Sequence, residues 1–240
     1  MALLQVDDEL HVWFIDLKRH DSPHVFDGML SSEESLRAAK FVSERDRMRF
    51  VVAHSALRQI LSLYLGVSPG SIVFEVGRYG KPALCGVPDT KIRFNLSHSG
   101  DVALCAVARA CEVGVDIEQI QPTDIIGGVA GQFFSAEEQR LVAELDVDAQ
   151  AEAFTRIWVR KEACLKAAGL GIGGDLTGFS VGLDDPGVCV PTSDERGVVW
   201  ALQELLAPGG YCAAVATSVP LPVRAYRFED SQLPGYGAPA

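Results

Sequence analysis

The stretch F-N-L-S-H-S-G-D-V-A-L-C-A-V-A-R-A-C-E-V-G-V-D-I-E, Phe94 to Glu118, decides the fold. Its polar opening (Asn95, Ser97, His98, Ser99, Gly100) has the composition of a turn, and Val102 to Ala108 is an apolar strand. The chain then reverses near Ala110 and Cys111, and Val113 to Glu118 is a second strand. The expected unit is a β-hairpin with polar groups at one mouth. Successive strand side chains point to opposite faces, so Asp116 and Glu118 share one face while Val115 and Ile117 take the other. Two carboxylates side by side suit a hard divalent cation such as Mg2+, which keeps several waters and binds one or two carboxylates together with substrate phosphates. A solvated strand end is the plainer reading of the same pair, because charged residues are mostly exposed.

Working outward, Phe154 to Lys166 reads F-T-R-I-W-V-R-K-E-A-C-L-K, with Phe154, Ile157, Trp158, Leu165 and Ala168 at helical spacing for one buried stripe. Glu162 and Lys166 stand four apart with the glutamate N-terminal, the better order for an ion pair on a helix surface. Taken alone, that is an ordinary exposed pair.

Upstream, Leu10 to Leu17 is expected as a strand and Ser31 to Glu34 as a capping box opening a short helix over Glu33 to Lys40. A long helix from about Glu44 to Leu65 follows, stopped by Gly66, with Met48, Val51, Val52, Ile60, Leu61 and Tyr64 on its buried side. Arg45 and Arg49 share a face of it. Ile72 to Val76 is a strand, and Gly77 to Pro82 is a loop whose glycines permit close backbone approach. Downstream, Ile120 to Gln132 is an apolar loop that either packs or meets a partner. Ser135 to Glu138 caps a helix running to about Leu145, with Phe133 and Phe134 stapling it to the core, and Asp146 to Gln150 separates it from the Phe154 helix. Gly169 to Gly174 (G-L-G-I-G-G) follows a helix and does not join a strand to a helix start. It therefore fails as a dinucleotide fingerprint and reads as a helix stop and connector. Strands are expected at Phe179 to Leu183, Val198 to Leu205 and Tyr211 to Ala216, separated by Asp185-Pro186-Gly187 and Pro208-Gly209-Gly210, ahead of a loose tail from Asp230.

Four pieces in order carry a resemblance: R-Y-G-K-P at Arg78 to Pro82, F-N-L-S-H-S at Phe94 to Ser99, G-V-D-I-E at Gly114 to Glu118 and W-V-R-K-E-A-C-L-K at Trp158 to Lys166. Together they resemble the Sfp-type 4′-phosphopantetheinyl transferases, whose pattern W-x-x-K-E-A-x-x-K the last piece fits. The resemblance spans roughly Phe41 to Ala168. It implies an α+β fold of two similar halves related by a pseudo-two-fold axis, with the active site in the cleft between them. Here the halves would be residues 1–112, on the coenzyme A side, and 113–240, on the metal and catalytic side.

It also implies a Mg2+-dependent enzyme, with Mn2+ as the alternative ion. The 4′-phosphopantetheine arm of coenzyme A, the co-substrate, would move to a serine of an apo acyl or peptidyl carrier protein, releasing adenosine 3′,5′-bisphosphate. Asp116, Glu118 and Glu162 resemble the metal ligands. Glu162 also resembles the general base, acting directly or through a metal-bound water, and Lys166 the lysine on the diphosphate. Arg49, Tyr79, Gly80, Lys81, Pro82, Ser97 and His98 match positions that hold coenzyme A. The carrier would belong to fatty acid, polyketide or nonribosomal peptide biosynthesis. Two rival readings stay open: a Mg2+-dependent phosphohydrolase of a nucleotide, and a non-catalytic protein that binds coenzyme A or a carrier.

Composition narrows the setting. Of 240 residues 48% are hydrophobic, ample for a core. Against 32 Asp plus Glu there are 21 Lys plus Arg, a formal charge of −11 that argues against nucleic-acid binding. No apolar run approaches the roughly 20 residues of a membrane span, and the N-terminus has no secretory pattern, so a cytoplasmic protein without a membrane partner is expected. The six cysteines lack metal-ligand spacing and read as small buried hydrophobes. Both halves lie in one chain, which favours a monomer. An acidic body that binds a polyanion requires a local basic pocket.

Overall fold

The computed structural model describes residues 3–18, 28–87, 90–122, 130–171, 176–183, 187–190 and 198–229. They form the expected α+β protein, in two compact units. The first unit comprises Met1–Glu75, Pro82–Ala110 and Pro222–Ala240, and the second Val76–Lys81 and Cys111–Leu221.

In the first unit β1 (Leu10–Asp16), β4 (Ile92–Ser99), β5 (Val102–Arg109) and β10 (Val223–Arg227) form a sheet in the order β10-β1-β5-β4. β10, not anticipated from sequence, pairs parallel with β1. A two-stranded ribbon of β2 (Val73–Val76) and β3 (Pro82–Cys85) completes the strands. Helix α1 (Ser32–Ala38) starts on the expected capping box, with Ser31 and Glu34 exchanging bonds. Helix α2 (Glu44–Leu65) ends at Gly66, whose φ of 69° is left-handed backbone that glycine adopts without penalty. Val52, Ile60, Leu61 and Tyr64 are buried as expected, while Met48 and Val51 are half-buried. Val51, Val52, Ile60, Leu61 and Tyr64 pack with Trp13, Ile15, Phe94, Val107 and Tyr226 into one core.

The second unit has β6 (Val113–Gln119), β7 (Gly187–Val190), β8 (Val198–Glu204) and β9 (Tyr211–Thr217) in the order β6-β9-β8-β7. Its helices include α3 (Ala136–Ala143), on the expected Ser135–Glu138 capping box, and α4 (Val147–Ala168). Phe134, Phe154, Ile157, Leu165, Trp200 and Leu202 form its core, the aromatic staple before α3 included.

The two units repeat one element order. Each begins with a strand, β1 or β6, followed by a capping-box helix and a 22-residue helix that ends at a left-handed glycine. Each then adds an antiparallel pair, β4–β5 or β8–β9, whose second member lies antiparallel to the first strand.

Four expectations are corrected. Val102–Arg109 and Val113–Gln119 are not a hairpin: β5 pairs with β1 and β4, whereas β6 pairs with β9. The reversal carries the chain from one sheet to another, through Ala110 at a positive φ of 52°. The true hairpin is β4–β5, turning at Gly100 and Asp101, so Ser97 and His98 lie in a strand and not in a turn. Helix α4 begins at Val147, so the break between the two helices is Glu144–Asp146 and Val147–Gln150 are already helical. Phe179 to Leu183 is no strand, because backbone groups there bond side chains instead: Lys161 donates to the Phe179 carbonyl and the Val181 amide donates to Glu138. Most of the apolar 120–132 loop, the second half of G-L-G-I-G-G, the Asp185-Pro186 turn and the tail from Asp230 lie outside the described residues.

Candidate active site

The second unit's site is framed by β6 against α4. A Cβ on Gly114 would stand 2.2 Å from both the Ala163 carbonyl oxygen and the Ala167 amide nitrogen. Only glycine lets the strand approach the helix backbone this closely. The acidic end of β6 is thereby brought to the face of α4 that carries Glu162 and Lys166.

That face is the open line on the otherwise enclosed second half of the helix. From Ile157 to Ala167 only Trp158, Glu162 and Lys166 keep partial exposure, and they recur every fourth residue, one above the other. The Phe133 ring meets Trp158 edge-on with centroids 5.5 Å apart. Lys166 Nζ donates to Asp116 Oδ1 at 2.5 Å, so the expected lysine pairs across to the strand. Asp116 is 2% exposed and is no solvated strand end. Burial first, then the negative charges of Asp116 and Glu118, push the Glu162 carboxyl above the ordinary range, with Lys166 pulling the other way. Asp116, Glu118, Glu162 and Lys166 therefore form one electrostatic group.

The group's chemistry fits a hard divalent cation. Three carboxylates face the Lys166 ammonium; burial above all, and then repulsion from Asp116 and Glu118, raises Glu162, and an added cation relieves that repulsion. Among the described residues no three His, Cys, Asp or Glu side chains are grouped so as to hold a metal ion, so Asp116, Glu118 and Glu162 do not stand as a preformed metal site. Mg2+ does not require one, since water and substrate phosphate commonly supply the remaining oxygens.

The 77–81 loop belongs to the same unit. It is tied by Gly80 N to Gly77 O and by Gly77 N to Lys81 O, each 2.9 Å. Gly80 has a φ of 91°, Tyr79 is half exposed under the Arg78 guanidinium, and Pro82 starts β3. Lys81 Nζ donates at 3.1 Å to Glu112 and to the Val113 and Ala167 carbonyls, joining the start of β6 to the end of α4. A Cβ on Gly171 would stand 2.8 Å from the Tyr79 carbonyl oxygen, so this glycine serves close packing more than slack.

The other candidates lie in the first unit. Asp101, in the β4–β5 turn, gathers Lys18 at 2.7 Å, Arg45 at 3.2 Å and Arg49 through its Nε at 3.1 Å, and Arg49 also bonds Asp46. Hydrogen bonds from Lys18 and the two arginines hold the Asp101 carboxyl far below the usual range, although desolvation opposes them. Three cations around one carboxylate form a local basic patch on an acidic protein. On the edge strand β4, Ser97 is buried and His98 exposed, so the two point to opposite faces.

Comparison with known proteins shows the family. The family profile described as "4′-phosphopantetheinyl transferase superfamily" matches residues 112–216, and "4′-phosphopantetheinyl transferase, N-terminal" matches 21–110. The chain is 36% identical over 218 residues to the 4′-phosphopantetheinyl transferase HetI of Nostoc sp., covering 90% of each protein. The chain belongs to the 4′-phosphopantetheinyl transferase superfamily. It is also 30% identical over 196 residues to the transferase Sfp of Bacillus subtilis, covering 81% of this chain and 85% of that one. To the transferase AcpT of Escherichia coli O157:H7 it is 41% identical over 112 residues, 47% of this chain and 55% of that one. No helix among the described residues of this transferase is long and apolar enough to cross a membrane.

Sequence reasoning missed three residues, each of which orders candidate side chains within its own unit. Gly114 did carry a signal, since a glycine inside a strand marks close backbone approach. Lys161 was read only as a motif position, yet it is fully buried. Asp101 carried none, because its partners lie 52 and 56 residues away for Arg49 and Arg45.

Proposed function

We propose that this transferase moves the 4′-phosphopantetheine arm of coenzyme A onto a serine of an apo acyl or peptidyl carrier protein, with Mg2+ bound by Asp116, Glu118 and Glu162. The observation that carries the assignment of residues is the Asp116–Lys166 pair beside the raised carboxyl of Glu162, on the open ridge of α4. The carrier serine oxygen forms a bond to the β-phosphorus of coenzyme A. The bond from that phosphorus to the bridging oxygen breaks, and adenosine 3′,5′-bisphosphate leaves. Glu162 takes the hydroxyl proton, directly or through a metal-bound water, a contribution of about 10² to 10⁴-fold; a bound cation would offset the rise in its proton affinity that burial causes. Lys166, oriented by Asp116, stabilises the charge gathering on the leaving bisphosphate. When bound, Mg2+ would neutralise the diphosphate and lower the repulsion met by the incoming oxygen.

The same reading gives Tyr79, Gly80, Lys81, Pro82, Ser97 and His98 to coenzyme A, and Arg49 to a phosphate, for which a guanidinium fork is suited. Lys81 would exchange its bond to Glu112 for phosphate. The enzyme would act as a cytoplasmic monomer.

Mass spectrometry of an apo carrier protein incubated with coenzyme A, Mg2+ and this protein tests the reading. The carrier should gain one phosphopantetheine, and the gain should vanish with EDTA. Breakdown of coenzyme A with an unmodified carrier would point to the phosphohydrolase; binding of either without reaction would point to the non-catalytic protein.

A further inference from the structure

The chemistry above gives no part to Lys161, the residue immediately before Glu162. Its side chain is fully buried and donates to both Glu138 oxygens, at 2.8 and 2.7 Å, and to the Phe179 carbonyl at 2.5 Å. Its ammonium stands 4.4 Å from the Phe179 ring centroid. Glu138 is the capping-box glutamate of α3, also accepting from the Ser135 amide at 2.8 Å and the Val181 amide at 2.7 Å. One ammonium thus locks α4 to α3 and to the chain that follows α4.

The first unit holds the same device. Glu34, the capping-box glutamate of α1, accepts from the Ser31 amide at 2.9 Å and from Arg58 Nε at 2.8 Å. Arg58 is buried on α2 and donates to the Pro69 and Ile72 carbonyls at 3.1 and 2.8 Å. Arg58 precedes Gly66 by the same eight positions that separate Lys161 from Gly169. What differs is the next residue. Gln59 follows Arg58 and is buried, donating to Met29 Sδ; Glu162 follows Lys161 and faces the open ridge.

We propose that Lys161, held by Glu138 and the Phe179 carbonyl, is a positioning residue that fixes the rotation of α4 and so aims Glu162 at Asp116. The proposal rests on the transferase reading of Glu162. Neighbouring helix side chains differ by a fixed turn about the axis, so pinning one in a buried pocket sets the direction of the next. Gly114 sets how close β6 comes to α4, but a glycine offers no side chain to resist rotation. A misplacement of about 1 Å at a reacting group costs about 100-fold in rate. Arg58 does the same mechanical work in the first unit with no reacting group beside it.

The paired anchors provide their own control. Replacing a buried ion pair by neutral side chains of similar size commonly leaves a protein folded, so the comparison uses Lys161→Met/Glu138→Gln against Arg58→Met/Glu34→Gln. Both full-length variants are assayed for kcat, for KM toward coenzyme A and apo carrier, for Tm, and for amide exchange over 158–168. Lys161→Arg, which keeps charge and donors, is a milder third variant. The second-unit pair should lower kcat about 100-fold with KM for coenzyme A changed less than about threefold, and exchange over 158–168 should rise. Lys161→Arg should recover most of that kcat, and the first-unit pair should lower Tm while leaving kcat near wild type. Equal kcat losses from both pairs, or full kcat in the second-unit pair, would overturn the proposal. A wild-type protein that modifies no apo carrier would instead sink the transferase reading. Exchange then decides the positioning claim by itself: a rise over 158–168 in the second-unit pair only sustains it, and unchanged exchange ends it.

Discussion

The strand that opens each unit meets the end of its long helix in opposite ways. β1 places His11 and Trp13 at its second and fourth positions, and both bond the Tyr64 hydroxyl of α2 at 2.8 Å. β6 places Gly114 and Asp116 at the same positions, against the α4 backbone and the Lys166 ammonium. Tyr64 stands two residues before Gly66, as Ala167 stands two before Gly169. One frame therefore carries two fillings. In the first unit aromatic rings and a phenol occupy the space between strand and helix; burial keeps His11 biased toward its neutral form, with the Glu9 bond opposing, and drives the Tyr64 phenol strongly upward. In the second unit removal of the side chain at Gly114 lets the strand close on the helix, and charged groups collect at the half-open edge. The same topology makes a core in one place and a charged candidate site in the other, through the residues at two matching strand positions and at the end of the facing helix.

The sharpest way to break this comparison is at the charged end. Glu162→Gln should lower kcat by about 10² to 10⁴-fold while Tm holds, measured by carrier modification and calorimetry. Near-normal turnover would mean the second unit's filling is as inert as the first's. Next is the close approach itself. Gly114→Ala forces a Cβ against backbone and should cost about 3 kcal/mol in chemical denaturation, with activity falling further than stability accounts for.

A third test uses pH. Burial would raise Glu34, but bonds from His54, the Ser31 amide and Arg58 hold its carboxyl down to about 2. A folded-state value below the unfolded one contributes stability above about pH 4.5 that is lost as pH falls toward 2. Glu34→Gln should remove about 2 to 3 kcal/mol at neutral pH and flatten acid unfolding across that window. Trp13→Phe takes one hydrogen bond from the buried phenol, for about 1 kcal/mol, and should leave turnover unchanged. The smallest effect is expected at Asp101→Asn, which releases Lys18, Arg45 and Arg49 from their shared carboxylate. KM for coenzyme A should fall severalfold at low salt and the gain should fade at high salt; an increase in KM would remove Arg49 from the phosphate-binding set.

Much of the site was legible because it is local. D-x-E on a strand, E-x-x-x-K on a helix, and two capping boxes are patterns of a few residues, and each formed where its spacing placed it. The hairpin expected across Ala110 failed because apolar strands on either side of a turn look alike whether they pair with each other or with distant partners. Phe179 to Leu183 failed because its backbone groups answer to Lys161 and Glu138, which alternation of apolar residues does not encode.

The sequence alone determined the extent of α2, the glycine stops of the two long helices, the acids on β6 and the family to which they point, since these follow from backbone propensity and side-chain periodicity. Tertiary structure decided which strands share a sheet, that Lys166 turns to Asp116, and that Lys161 is an interior anchor. Those outcomes depend on which buried charges find partners from distant parts of the chain, and the energy of leaving one unpaired belongs to the packed protein and not to any local stretch.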